Sequence, residues 1–213
     1  MAFRPRAADP SRGPVPSTPA SGQPCGALGR AIARVFRDGR PEVLALGPLC
    51  GESVVYLAGR GARVHVDEFE PPPPLPARKP GEPSPFIPPF RLEQPDRTFG
   101  LVLAWEALDF VTPDRLADCG AELARVLRIG GQLFMFAHLK PPSETAVIPR
   151  YRLLSDDVII REEPEGVLRR RFVHPNREIE RALAGLQVQG IQLQRNQMRE
   201  ILAVKSGSGS GSG

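Results

Sequence analysis

The chain has 213 residues, of which 24% are charged, and its formal net charge is +4. This weak positive charge is not accompanied by a basic stripe interleaved with aromatic residues, which argues against a nucleic-acid partner. No stretch approaches the roughly 20 apolar residues of a bilayer span, so we expect a soluble, cytoplasmic protein with no membrane partner.

Two terminal segments differ in composition from the rest of the chain. Residues 1–24 are rich in Pro, Ala, Ser and Arg and have almost no large apolar side chains, so they are predicted to form a disordered Pro/Arg-rich arm. Residues 206–213 repeat Ser and Gly, as an artificial flexible linker does. The intervening residues 25–205 suit one domain.

The three cysteines, Cys25, Cys50 and Cys119, are widely separated and lack CxxC spacing. Their odd number and their spacing predict neither a disulfide framework nor a zinc site. We expect reduced, partly buried thiols and no metal.

Helix and strand patterns alternate along the first two thirds of this domain. In chain order they are the helix CGALGRAIARVF, the strand EVLALG, the helix ESVVYLAGRG, the strand ARVHVDEF, the strand FGLVLAWEAL, the helix in TPDRLADCGAELARVLRIGG and the strand GQLFMFAHL. Single helices between apolar strands imply right-handed crossovers and a mostly parallel sheet that is covered on both faces.

The last third of the domain follows a different pattern. RYRLLSD, DVIIREE and GVLRRRFVH indicate short strands or an excursion outside the main sheet. In the last of these, Arg169–Arg171 is interpreted as a solvated edge strand, although alternation sends at least one side chain inward. A helix in REIERALAGL follows, and VQGIQLQ and REILAVK then predict a half-buried antiparallel hairpin.

This order of elements resembles class I S-adenosylmethionine-dependent methyltransferases. VLALGPLCGESVVYLAGRGARVHVDEF is similar to their first two strands, and FGLVLAWEALDFVTPDRLADCGAELARVLRIGGQLFMF is similar to their fourth strand, its helix and their fifth strand. The hairpin ending in LAVK is similar to their last two strands. The resemblance implies a Rossmann-like α/β fold, a mostly parallel sheet closed by a C-terminal antiparallel hairpin.

The resemblance also assigns a cofactor-binding turn, and that turn is degenerate. In the family an acid is followed by three spaced glycines whose backbone lies against S-adenosylmethionine. Here Gly47 and Gly51 take the first and third glycine positions, Leu49 takes the second, and Ala45 stands in place of the acid. A leucine at the second position is expected to occupy space that the amino-acid part of the cofactor needs.

The resemblance places the family's ribose-binding carboxylate at the end of the second strand. Counting without gaps from Ala45 puts Glu68 at that position, directly after Asp67. A carboxylate suits the bidentate contact with two ribose hydroxyls. Two solvated acids at a strand end are the alternative.

A proline-rich segment departs furthest from the family. Residues 71–89 contain ten prolines, which a helix interior does not accept, so only FRLEQ can supply the next strand. An exposed polyproline loop is the preferred interpretation. A docking role is the sharper hypothesis, with a possible protein partner bound through this loop or through the N-terminal arm.

Further polar and aromatic side chains follow the fourth and fifth strands, where open α/β sheets bind ligands. Trp105 is a candidate wall of the cofactor site or a core residue, and Glu106 and Asp109 come just after it. His138 is a candidate base, but no partner is evident, and a lone histidine is more typical of a loop. No catalytic residue is assigned.

Two functional hypotheses remain. The first is an active S-adenosylmethionine-dependent methyltransferase acting on a small molecule or a protein, with Gly47, Gly51 and Glu68 holding the cofactor. The second is a degenerate methyltransferase fold with no cofactor, acting as an interaction or scaffold module. Ala45, Leu49 and the proline loop favour the second hypothesis.

Overall fold

A computed structural model of the chain describes residues 22–48, 50–76 and 89–207. The helices are α1 (Gly26–Arg37), α2 (Gly51–Gly59), α3 (Leu116–Val126) and α4 (Asn176–Ala182). The strands are β1 (Gln23–Pro24), β2 (Glu42–Leu46), β3 (Arg63–Asp67), β4 (Phe99–Trp105), β5 (Leu127–His138), β6 (Thr145–Ala146), β7 (Arg150–Leu153), β8 (Val158–Glu162), β9 (Arg169–Arg170), β10 (Gln187–Leu193) and β11 (Met198–Val204).

Six strands form the central sheet in the order β10-β11-β5-β4-β2-β3. Strands β3, β2, β4 and β5 run parallel, with Ala45 of β2 beside Val66 on one side and Leu103 on the other. Strand β11 is antiparallel to β5 along its whole length, and β10 is antiparallel to β11. The predicted fold class, a mostly parallel α/β sheet with an antiparallel hairpin at its end, is therefore confirmed.

Each face of the sheet has its own hydrophobic core. One core joins the sheet to α3 and α4 through residues such as Leu123 and Ile179. The other core joins the sheet to α1 and α2 through residues such as Ile32 and Leu57. The crossover helices thus cover both faces, as the alternation of short apolar strands and single helices predicts.

Strand β11 connects the two faces through buried polar contacts. Glu200 is fully buried, and its Oε2 accepts a hydrogen bond of 2.9 Å from the backbone N–H of Ala27 in the first turn of α1. At the end of the strand, Lys205 Nζ donates to the carbonyl oxygens of Ala124 (2.6 Å) and Leu127 (2.9 Å) at the C-terminus of α3. A negative group at a helix N-terminus and a positive group at a C-terminus both complement the helix dipole.

Residues 139–175 form an excursion outside the main sheet. Strands β7 and β8 pair antiparallel, and β8 also pairs with β1, so Gln23 lies opposite Ile159. This strand pairing begins two residues before the predicted domain boundary at Cys25. Strands β6 and β9 form a separate two-stranded sheet.

Two other expectations concern single segments. The segment FRLEQ contains no strand, so β3 has no further neighbour at its open edge within the described residues. The three cysteines are free and all are buried. None of the helices in the described ranges has the length and apolar character that a bilayer span requires.

The closing hairpin should be indispensable for folding. Strand β11 is buried along its length between β5 and β10, and losing several of its aliphatic side chains removes several kcal/mol, comparable with the stability of a whole domain. A chain that ends at Gly185 should therefore show no cooperative thermal transition by circular dichroism. A chain that ends at Lys205 is the matched control and should melt like the full-length protein; a sharp transition in the shorter chain would contradict the assignment.

Candidate functional site

The glycine turn follows β2 directly. Strand β2 lies between β3 and β4, so the strand order reverses at this point. Gly47 has φ +88°, a left-handed conformation that glycine adopts without strain, and its N–H donates to the backbone oxygen of Asp67 at 2.7 Å. Gly51 begins α2 and is exposed. Leu49, the residue predicted to obstruct the cofactor, lies outside the described residues.

The two candidate ribose acids lie at the end of β3. Asp67 Oδ1 accepts a hydrogen bond of 3.0 Å from the N–H of Phe69, so this carboxylate caps the turn that follows it. Glu68 is exposed and lines a cavity of about 390 Å³ between the end of β3 and residues 90–94. Asp67 lines the same cavity, and Glu68 is the more exposed of the two acids.

Trp105, at the carboxyl end of β4, lies inside a cluster of aromatic rings. It is 3% exposed and has φ +45°, which is unusual for a residue with a side chain. Tyr151 of β7 stacks on it with ring centroids 4.5 Å apart and an interplanar angle of 11°. Phe134 and Phe136 of β5 complete the cluster. Trp105 thus packs as a core residue against the chain's own Tyr151.

The excursion contacts the carboxyl ends of β2 and β4. The space at these two strand ends is called here the strand-end crevice. Ser53, in the first turn of α2, donates its hydroxyl to the Tyr151 carbonyl (3.1 Å) and accepts from the N–H of Leu153 (2.9 Å). A Cβ placed on Gly47 would lie 3.4 Å from Cγ2 of Ile148. In open α/β sheets such a crevice, where strand order reverses, is the usual ligand position. Here Ile148 and Tyr151 contact its two sides.

Glu106, the residue after β4, is the centre of a buried ionic network. Its side chain has no solvent exposure. Its Oε1 accepts hydrogen bonds from the Tyr151 hydroxyl and from Arg161 Nε at 2.6 Å, and its Oε2 accepts from Arg171 Nη2 at 3.0 Å. Burial opposes ionisation of Glu106, but the hydrogen bond and the charge of Arg161 outweigh it, so the pKa of Glu106 lies below its usual value.

Asp109 and His138 form a second buried pair beside this network. Asp109 Oδ2 accepts from the backbone N–H of His138 at 3.0 Å and from its ring Nδ1 at 2.7 Å. Burial raises the pKa of Asp109, although both hydrogen bonds from His138 favour the ionised form. An ionised Asp109 accepts from Nδ1 of His138, and Nε2 is the ring nitrogen that this pair leaves free.

Glu106, Asp109 and His138 also have the donor types of a metal site. Among the described residues these three bring one donor atom each within 4.8 Å of the others. Arg161 and Arg171, however, already bind Glu106 and balance the two carboxylate charges. A divalent cation would compete with both arginines for Glu106 and would take the carboxylate from the buried Arg171, so this donor set does not favour a metal.

Several residues of this region are missing from the sequence prediction. Arg171 is buried and paired with Glu106, so the interpretation of Arg169–Arg171 as a solvated edge strand was wrong for this residue. The alternation along RRR did signal that one side chain turns inward. For Tyr151 and Arg161 the sequence carried no comparable signal, because their contacts with Glu106 join residues 45 and 55 positions apart.

Comparisons with solved structures place this chain among known folds. An S-adenosylmethionine-dependent methyltransferase from Mesorhizobium loti matches with a TM-score of 0.52 and 15% identity, over 84% of this chain and 96% of that one. A second such enzyme, from Methanosarcina mazei, matches with a TM-score of 0.47 and 14% identity over 78% and 93%. The 1,6-didemethyltoxoflavin-N1-methyltransferase of Burkholderia thailandensis, with bound S-adenosylhomocysteine, matches with 0.45 and 20% over 85% and 79%.

At such identities the similarity concerns the fold, and the Mesorhizobium loti enzyme carries that conclusion because its TM-score exceeds one half. No protein-family model matches the sequence. No curated protein matches it either.

Glu106 should contribute strongly to stability, whereas a neighbouring exposed acid should not. Glu106→Gln leaves Arg161 and Arg171 without their shared carboxylate and should lower the free energy of unfolding by about 3–5 kcal/mol in urea titrations. Glu163→Gln is the matched control, because Glu163 also pairs with Arg161 but its side chain is 59% exposed. Its cost should stay below about 1 kcal/mol, and equal losses in the two variants would contradict the central role of Glu106.

The same pair of proteins should show a specific pH dependence. The pKa of Glu106 is lowered from 4.5, so its ionic contribution is complete above that pH and is lost as the pH falls further. The difference in unfolding free energy between wild type and Glu106→Gln should therefore shrink below about pH 4.5. Urea titrations at pH values on both sides of this point measure it, and a difference that grows on acidification would have the wrong sign.

Proposed function

We propose that this chain, which has the fold of class I S-adenosylmethionine-dependent methyltransferases, has lost the cofactor and serves as an interaction or scaffold module. The observation that supports the proposal most directly is the strand-end crevice. Its position at the carboxyl ends of β2 and β4 is where this kind of sheet binds its ligand. The chain's own residues Ile148 and Tyr151 contact both of its sides.

The ring, the hydroxyl and the backbone carbonyl of Tyr151 each make a contact in the crevice. Its ring stacks on Trp105, its hydroxyl donates to Glu106, and its backbone carbonyl accepts from Ser53. Burial and the charge of Glu106 raise the pKa of Tyr151 well above its usual value, so the hydroxyl remains a donor. A ligand in this position would have to break these contacts together, and its affinity would be reduced by their combined free energy.

The remaining cofactor positions agree with this interpretation. Ala45 is fully buried between neighbouring strands and has no carboxylate to bind the ammonium group of a cofactor. The N–H of Gly47 is already bonded to the carbonyl of Asp67. Glu68 alone keeps an exposed carboxylate at the expected place, and one carboxylate does not make a nucleotide site.

As a scaffold the protein would bind its partner through the proline-rich segments. The arm of residues 1–24 and the loop of residues 71–89 have the composition of polyproline ligands, which aromatic-lined grooves recognise. Residues 71–76, the described part of the loop before its gap, contain no helix or strand. We therefore assign the partner contact to these segments.

An active methyltransferase remains the second candidate, on one observation. Asp109 and His138 form an oriented pair at the carboxyl ends of β4 and β5, a position from which a base can act on a bound acceptor. This candidate also needs S-adenosylmethionine in the strand-end crevice. The two proposals therefore differ in whether the cofactor binds.

Isothermal titration of the full chain with S-adenosylmethionine and S-adenosylhomocysteine separates the two candidates. We expect a dissociation constant weaker than about 1 mM for both, because Tyr151 and Ile148 occupy the crevice. Micromolar binding by the unmodified protein would overturn the scaffold proposal and favour the active enzyme.

Two variants of one residue test whether Tyr151 is the obstruction. Tyr151→Ala removes the ring that covers Trp105, and Tyr151→Phe removes only the hydroxyl contact with Glu106. S-adenosylhomocysteine should bind the Ala variant at least about tenfold more tightly than the Phe variant. Equal affinities, measured on samples whose thermal transitions show that they are folded, would assign the obstruction to other residues.

A further inference from the structure

A second cavity lies beside the strand-end crevice, at the end of β5 and the beginning of β11. It is called here the His138 cleft and has a volume of about 480 Å³, large enough for a small organic molecule. His138, Lys140 and Arg161 line its polar side, and Pro141 and Met198 line its apolar side. Neither Tyr151 nor Ile148 is among its lining residues, so the contacts that close the crevice do not fill the cleft.

The cleft contains an oriented imidazole ring. Asp109 fixes the imidazole of His138 through Nδ1, and it also accepts from the backbone N–H of the same residue. Within the described part of the chain, Nε2 of His138 makes no hydrogen bond, and the His138 side chain lines the cleft. A ligand with an O–H group can donate to this nitrogen.

The cleft also attracts negative charge. Lys140 is exposed, and it forms no ion pair with any described residue. Arg161 contributes a second cation, whose guanidinium pairs with both Glu106 and Glu163. None of the residues lining the cleft is acidic, and because Glu106 and Glu163 already pair with Arg161, Lys140 is the cation at the cleft that is left for a carboxylate or phosphate group.

We infer that the His138 cleft binds a small organic anion that carries a hydroxyl group. The hydroxyl donates to Nε2 of His138, the anionic group pairs with Lys140 at the mouth of the cleft, and the apolar part of the ligand lies against Pro141 and Met198. The site does not depend on the proposed loss of S-adenosylmethionine, because its residues lie outside the closed crevice. It gives the protein a small-molecule ligand that can be bound while the crevice is filled.

Three probes separate the two recognition elements in the unmodified full chain. 4-Hydroxybenzoate has both groups, benzoate has only the anion and phenol has only the hydroxyl. In titrations followed by NMR, 4-hydroxybenzoate should bind about tenfold more tightly than either of the others, because each lacks one polar contact. Long-range 1H–15N spectra should show an unprotonated Nε2 in free His138 and a shift of that nitrogen with 4-hydroxybenzoate.

Variants assign each contact to its residue. Lys140→Gln should weaken 4-hydroxybenzoate and benzoate by about tenfold and leave phenol unchanged. Arg195→Gln is the matched control, because Arg195 is an exposed cation that lines a neighbouring cavity and not this cleft; it should change each affinity less than about twofold. His138→Phe should abolish the preference for 4-hydroxybenzoate over benzoate.

Several results would overturn the inference, and some need no variant. These are a protonated Nε2 in the free protein, equal affinities for the three probes, or no shift at His138 with about 10 mM 4-hydroxybenzoate, well above the dissociation constant of a millimolar site. Equal losses in Lys140→Gln and Arg195→Gln would show a general field effect and not a site. If S-adenosylmethionine proves to bind with micromolar affinity, the scaffold proposal fails, while these results still decide the cleft by themselves.

Discussion

The arrangement of this end of the molecule depends on one buried carboxylate, that of Glu106. It follows β4 directly, and its three donors, Tyr151, Arg161 and Arg171, all come from the excursion after β5. A buried carboxylate without such partners would be strongly unfavourable, so the excursion must lie where its donors reach Glu106. The same contacts bring the ring of Tyr151 onto Trp105 at the end of β4.

Charge balance explains why this network can be buried. Two carboxylates, Glu106 and Asp109, lie near two arginines and one histidine, and most of their oxygens accept hydrogen bonds. Asp109 Oδ1 is an exception, because it is buried and has no hydrogen-bond partner among the residues that the structure describes. The same balance disfavours a divalent cation, although the donor types would suit one. Nε2 of His138 has no hydrogen bond among the described residues, and His138 lines the cleft.

The fold and the site therefore give different kinds of information. Parallel strands with covering helices and an antiparallel final strand establish a methyltransferase fold, whose known examples include S-adenosylmethionine-dependent enzymes. Fold alone does not determine function, because the same sheet can present an open or a filled crevice. In this chain the excursion contacts the strand ends through Tyr151 and Ile148, which is the feature on which the two functional hypotheses differ.

The sequence by itself determined the order of the main elements. Short apolar strands between single amphipathic helices, and alternation in the final hairpin, are local patterns whose periods reveal which face is buried. The resemblance in order also assigned the glycine turn and the position of Glu68 without knowledge of contacts, and their roles in cofactor binding stay predictions. The absence of a strand in FRLEQ could not be predicted from the sequence, since a short run with few apolar residues is compatible with a strand or a loop.

Only the tertiary structure decided the chemistry of the strand ends. In the sequence His138 had no evident partner, and the structure pairs it with Asp109, which is 29 positions away. Arg171 was expected at a solvated edge and is instead buried against Glu106. The ring of Trp105 stacks on Tyr151 of β7. Such contacts join residues that are far apart along the chain, and their free energy depends on burial and mutual charge. A local pattern of residues records the tendency of a side chain to turn inward, but the partner it meets is set by packing.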